Sequence, residues 1–262
     1  MSENLDGKQT RRSFWPRFGR NLALAAWLFF GLISMSLLVF YCVTIMPSTV
    51  GKYLTETTTG QLLVNGLTYM AVLVLVVGGS YWFTRYVRRK PQDSKSLLRV
   101  LGISRSLSWR HVGLLLICIV GYFVTTIIAS LLASLLPWFD VNQAQDVGFN
   151  SANGIVNLLI VFVALVILPP VVEELLFRGY LFGKLRQENG FWVSAIITSL
   201  LFGLVHGQWN VGVDTFVLSL FLCILRERTG AIWMSMLLHA FKNGLAFFFL
   251  FIAPLLGINL IQ

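Results

Sequence analysis

Charge is scarce in this chain. Of 262 residues only 12% are Asp, Glu, Lys or Arg, about half the share with which a soluble domain covers its surface. Apolar residues make up 56%, Phe alone occurs 21 times, and the mean hydropathy is +0.77. Water is therefore not the solvent of most of this sequence. Cysteine is scarce as well: Cys42, Cys118 and Cys223 are odd in number, lie in or beside apolar runs and show no Cys-x-x-Cys spacing. That argues against a disulfide framework or a thiolate metal centre and leaves packing thiols. Period-2 alternation, internal repeats and low-complexity tracts are missing too, which disfavours an outer-membrane barrel. The net charge of +9 invites nucleic acid as a partner, but its placement points to a membrane surface and to no nucleic acid.

Long apolar runs are present, at about 22–46, 65–84, 112–137, 154–182, 191–207, 211–225 and 230–253. A helix needs roughly 20 such residues to cross a bilayer, and lipid leaves no water for backbone polar groups, so helices are the expected form. The sequence predicts an all-α polytopic membrane protein with about seven transmembrane helices. The first run is too long for the apolar stretch of a signal peptide and reads as a retained helix. Every Lys and Arg except Lys52, Arg178 and Lys242 falls in the tail before the first run or on alternate loops thereafter. The positive-inside rule then makes the N-terminus and those loops cytoplasmic.

The expected organisation is a basic cytoplasmic tail (1–20), N-terminal transmembrane helices with a basic cytoplasmic loop (21–137), and a connecting loop (138–153). A transmembrane core (154–253) and a C-terminal tail (254–262) follow. The 88–110 loop, with its arginines and Trp109, is expected to lie on anionic lipid as an interfacial amphipathic segment. The 154–253 core carries nearly all the polar chemistry inside apolar runs.

An ionisable side chain within a membrane costs roughly 2.5–3.5 kcal/mol on insertion scales and needs a partner or a task. Three groups stand out. Glu173 and Glu174 follow Pro169-Pro170; Glu174 and Arg178 share a helical face and can pair, whereas Glu173 lies about 100° away without a local cation. Phe202 precedes His206 by four residues, and His239 and Asn243 share a face. Only three histidines exist, and two of them are expected inside spans; His111, beside Arg110, reads as an interfacial residue. At 1.5 Å per residue, Glu173, His206 and His239 lie about 20, 22 and 13 Å deep, near enough to meet. A tilt or bend at Pro169-Pro170 would fit the long fourth helix into the bilayer. A carboxylate in such a place can take a proton from water, with His and Asn donors supporting the oxyanion. Equally, Glu173, His206 and His239 could hold Zn2+ or another divalent metal with one position open; the site could also work with none. Buried Glu and His could instead form a proton relay in a transporter, although no symmetric pair of broken helices is visible. The soluble zinc-protease signature His-Glu-x-x-His is absent.

Glu173-Glu174-x-x-x-Arg178, Phe202-x-x-x-His206 and His239-x-x-x-Asn243 occur in that order on consecutive runs. With the lead-in Arg226-x-x-Thr229-Gly230-x-Ile232-Trp233, this pattern resembles the CAAX protease and bacteriocin-processing (CPBP, or Abi) family of intramembrane peptidases. The likeness covers roughly 154–250. It implies hydrolysis of peptide bonds in a membrane-associated protein or peptide, with Glu173 activating water and Glu174 and Arg178 supporting it. His206, His239 and Asn243 would bind the oxyanion or a metal; the family's usual label is metalloprotease. A bacteriocin-immunity protein that keeps the constellation without turnover is the alternative. The compact length suggests a bacterial plasma membrane.

Overall fold

The computed structural model describes residues 14–87, 94–137, 139, 140, 143, 149 and 154–258. Most of the expected 1–20 tail, Arg88, Arg89 and Lys90 of the basic loop, most of the 138–153 connection and residues 259–262 lie outside the described residues. The described residues are helical, without strands. We number the helices α1 (Phe14–Thr44), α2 (Ser48–Glu56), α3 (Thr58–Val87), α4 (Ser94–Leu101) and α5 (Trp109–Ala133). After the connection come α6 (Ile155–Leu185), α7 (Phe191–Leu204), α8 (Trp209–Thr229) and α9 (Trp233–Ile252).

Six of these helices are long and apolar enough to cross a membrane. The fifth expected span is shorter than the sequence suggests. It forms α7, only 14 residues, which rises about 21 Å where a hydrocarbon core needs about 30 Å. The helix stops because Gly207 takes a left-handed conformation, φ +71°, and the chain turns straight into α8. His206 consequently lies in the turn beyond α7, not within a span as expected.

Outward faces of α1, α3 and α5 carry large exposed apolar side chains such as Leu37, Leu67 and Ile117, the surface that lipid tails cover. Inside, α6 is the central element. Leu176, Phe177 and Leu181 pack with Leu28 of α1, Val76 of α3, Leu101 of α4 and Phe202 of α7. A second cluster joins Tyr122 of α5, Leu218 and Leu222 of α8 and Leu238 of α9. Helices α7 and α8 approach backbone to backbone at Gly203 and Gly212, where a Cβ on Gly203 would lie 2.7 Å from the Gly212 carbonyl oxygen.

Around Pro169-Pro170, where a tilt or bend was expected, α6 contains wide, π-type turns. One covers Val163–Ile167, just before Pro169-Pro170, and another Glu174–Leu181. Proline cannot donate to the carbonyl four residues back and collides with it. A widened turn accommodates both defects, and such turns gather at functional sites. The carbonyl of Leu165, deprived of the Pro169 N–H, accepts a hydrogen bond from Asn243 Nδ2 at 2.9 Å. Asn243 thus ties α9 to the break in α6.

The basic loops meet at one end of the bundle. Arg20 pairs with Glu188 at 2.7 Å, and Arg186 with Glu227 at 2.8 Å. The Arg226 guanidinium donates to the Val100 carbonyl at 3.1 Å, and Trp233 Nε1 donates to that of Arg105 at 2.6 Å. Helix α4, within the described part (94–110) of the expected 88–110 amphipathic segment, lies as a strap across these helix ends. The Leu101 carbonyl comes within 3.0 Å of where a Gly179 Cβ would be. The cysteines are free thiols, Cys42 exposed and the other two buried.

Gly203→Ala forces a methyl group onto the α8 backbone, which cannot yield as a side chain would. The substitution is expected to destabilise the protein by about 1–3 kcal/mol, read as a lowered midpoint of thermal denaturation in detergent. An unchanged midpoint would contradict the close approach of α7 and α8.

Candidate active site

Helix α6 presents two adjacent carboxylates, and α9 places one imidazole between them. His239 Nδ1 lies 3.1 Å from Glu174 Oε1, and His239 Nε2 lies 3.7 Å from Glu173 Oε2. The contact with Glu174 is a hydrogen bond. The gap to Glu173 exceeds direct hydrogen-bond range. Glu174 Oε1 also accepts from Arg178 Nη1 at 2.9 Å, one turn along, and both of these side chains are wholly buried. The pairing expected from their spacing is therefore present.

Glu173 is not left alone, contrary to the reading from local spacing. Tyr69 of α3 donates its hydroxyl to Glu173 Oε1 at 3.0 Å. The Glu173 side chain keeps 16% of its surface exposed while that of Glu174 keeps none. Burial thus separates two neighbouring carboxylates: Glu174 is enclosed, and Glu173 is partly exposed.

Phe202 of α7 holds the cations and imidazoles in place. The Arg178 guanidinium carbon sits 4.3 Å above its ring centroid, a cation–π contact that strengthens where water is excluded. The rings of His206 and His239 meet Phe202 nearly edge-on, at 5.0 and 5.7 Å between centroids. His206 Nδ1 lies 2.7 Å from the Phe202 carbonyl oxygen. A carbonyl can only accept, so this nitrogen carries a proton and Nε2 is the free position. His206 lies within electrostatic reach of Glu173, Lys242 and His239.

On the far side of His206, Lys242 Nζ pairs with Asp214 Oδ2 at 3.3 Å, and Tyr122 donates its hydroxyl to Asp214 Oδ1 at 2.6 Å. Behind Arg178, Cys223 is fully buried and lies against Arg178 and Ser199. Glu174 Oε2 and the Nε and Nη2 atoms of Arg178 have no hydrogen-bond partner among the described residues.

Of the six residues picked from sequence, Glu173, Glu174, Arg178 and His239 form one continuous chain. His206 joins it through Phe202, and Asn243 stands aside with its amide on the Leu165 carbonyl. Sequence reasoning missed Tyr69 and the Tyr122–Asp214–Lys242 group. A tyrosine in an apolar run with no charged neighbour carries no local signal.

A metal was one expectation for Glu173, His206 and His239. Both imidazoles do present the right nitrogens, since Nδ1 is held by an oxygen partner and Nε2 is turned away, as in many metal sites. As placed, however, no three His, Cys, Asp or Glu residues among the described residues form a group that could hold an ion. The set does not fit a metal in this arrangement.

Buried carboxylates, an arginine and histidines between membrane-length helices define a membrane protein with a polar cluster in its interior. Residues 155–245 match the model of the family described as type II CAAX prenyl endopeptidase Rce1-like. The Bacillus subtilis protein YdiL, named for a proposed membrane peptidase activity, is 30% identical over 77 residues, 29% of this chain and 32% of its own. A 24.3 kDa protein of Escherichia coli is 31% identical over 98 residues, 36% of this chain and 45% of its own. The protein YbdI of Lactococcus lactis is 30% identical over 88 residues, 34% and 47% of the two chains. This chain thus spans 32–47% of the length of these curated relatives. No solved structure matches it. With its six membrane-length helices and these relatives, the protein is an integral bacterial membrane protein.

Removing Arg178 leaves Glu174 charged and unpaired where no water reaches. Arg178→Met is expected to cost about 3–5 kcal/mol, and the double variant Glu174→Leu/Arg178→Met appreciably less, since an apolar pair can replace a buried ion pair. Detergent-phase denaturation of the single and double variants checks this. Equal losses in both would show that the pair is not the relevant interaction.

Proposed function

We propose that the protein is an intramembrane endopeptidase that hydrolyses a peptide bond of a membrane-associated protein or peptide, with Glu173 as the general base. The observation that carries this reading is the asymmetry of the two glutamates around His239. Glu174 is consumed by Arg178 and His239 in a dry interior. Glu173 is partly accessible, is held by one phenol, and faces His239 Nε2 across 3.7 Å.

In this reading a water bound beside Glu173 gives a proton to Oε2 as its oxygen attacks the scissile carbonyl carbon. The carbonyl electron pair moves onto oxygen and makes an oxyanion. Collapse of that intermediate breaks the C–N bond, and the proton held by Glu173 passes to the leaving nitrogen. Tyr69 fixes the orientation of the Glu173 carboxylate. His239, kept by Glu174, presents Nε2 to the chamber. His206 in its protonated form offers Nε2–H to the oxyanion, since its Nδ1–H is spent on the Phe202 carbonyl. Glu174 and Arg178 position His239, and Asn243 acts by securing the bend of α6. A water-poor chamber strengthens each of these electrostatic contributions.

Glu173→Ala, His206→Ala and His239→Ala are each expected to lower cleavage by roughly 10²–10⁴-fold, the usual contribution of a positioned acid–base group, with insertion unchanged. Tyr69→Phe should lower it about tenfold, the loss of one hydrogen bond to a charged group. Comparing peptide termini in membranes from cells carrying each form reads this and requires no identified substrate. New termini that depend on the wild-type protein and vanish with Glu173→Ala support the proposal. Termini that persist with Glu173→Ala would overturn the assigned role.

A further inference from the structure

A cleft of about 290 Å3 lies at the basic end of the bundle, between the α4 strap and the ends of α6 and α8. Its walls include Arg99, Phe182, Gly183, Arg186, Arg226 and Glu227. Three guanidinium groups therefore face one carboxylate. That carboxylate is already fully used: Arg186 holds it with two bonds, Nε to Oε2 at 3.1 Å and Nη2 to Oε1 at 2.8 Å.

Arg226 is oriented by neutral partners. Its Nη2 donates to the carbonyls of Val100 and Arg99 at 3.1 and 3.4 Å, which fix the guanidinium without cancelling its charge. Arg99 is exposed and forms no ion pair among the described residues. Three guanidinium groups against one carboxylate thus leave an excess of two positive charges in one small, preorganised space, and rigid guanidinium forks match phosphate oxygens.

The position narrows the ligand. Leu98, Leu107 and Trp109, on the strap and its continuation, are large apolar side chains exposed to the outside. They sit where a bilayer would take them up, at the end of the molecule that gathers the basic loops. A basic pocket flanked by exposed apolar side chains at that level suits a lipid headgroup whose acyl chains leave sideways.

We propose that this cleft binds the phosphate of an anionic membrane lipid, with Arg99 and Arg226 as its cations and Arg186 at its rim. A lipid held there joins the α4 strap to the end of α6, one layer behind Glu174 and Arg178, because α4 already packs on Gly179 and Gly183. The inference does not depend on the peptidase reading.

Titration of the detergent-purified full chain with phosphatidylglycerol, followed by native mass spectrometry, tests it. Wild type is expected to bind phosphatidylglycerol in preference to phosphatidylcholine. Arg99→Gln and Arg226→Gln, made separately, should each weaken binding about tenfold, the equivalent of 1.4 kcal/mol. Arg110→Gln, a basic residue of the same end but outside the cleft, should change it less than about twofold. Competition by millimolar inorganic phosphate would identify the phosphate group as what is recognised. Unchanged binding in both cleft variants, or an equal loss in Arg110→Gln, would overturn the site. Binding of inorganic phosphate without phosphatidylglycerol would overturn the lipid as its source.

Discussion

The wholly buried pair of Glu174 and Arg178 is the constraint around which the rest of this bundle is arranged. Neither charge can reach water, so each must find its compensation inside the protein, and the protein must keep both fixed. The two charges meet along one helix, capped above by the Phe202 ring and extended sideways to His239. Three helices, α6, α7 and α9, are thereby locked into one register. The wide turns of α6 place Glu173 and Glu174 on either side of the same imidazole, which a straight α-helix with adjacent residues 100° apart would not favour.

Disruption and repair recur as a pair in this fold. Pro169 breaks a backbone bond of α6, and Asn243 supplies the missing donor from α9. His206 donates its ring Nδ1–H to the Phe202 carbonyl near the end of α7. In both cases a polar side chain in an apolar setting satisfies the backbone. The same economy explains why the site needs so few charged residues in a chain that has so few.

Much of this was legible in the amino-acid order. The membrane class followed from the shortage of charge and the length of the apolar runs, and the gathering of basic loops at one end followed from their alternation. Glu174 with Arg178 was readable because a spacing of four is a local property. Tyr69 was not, because its partner is 104 residues away and nothing near it in sequence differs from an ordinary lipid-facing tyrosine. The short α7 also escaped notice: hydropathy counts apolar residues and does not see a left-handed Gly207 and a side-chain cap that end the helix early. Asn243 was assigned to the reacting atoms by its place on the face of His239, and only the break in α6 shows where its amide is used.

By itself the sequence determined the solvent of the protein, the number and approximate place of its apolar helices, and the small set of polar residues that had to be matched inside them. These depend on composition and on periodicities within a turn or two, which the chain carries locally. Tertiary structure alone decided which carboxylate is enclosed and which is partly exposed, that α3 contributes Tyr69 to the cluster, and that the imidazoles converge on one phenylalanine ring. Those outcomes depend on distances between segments far apart in the chain, set by how helices pack and where they bend.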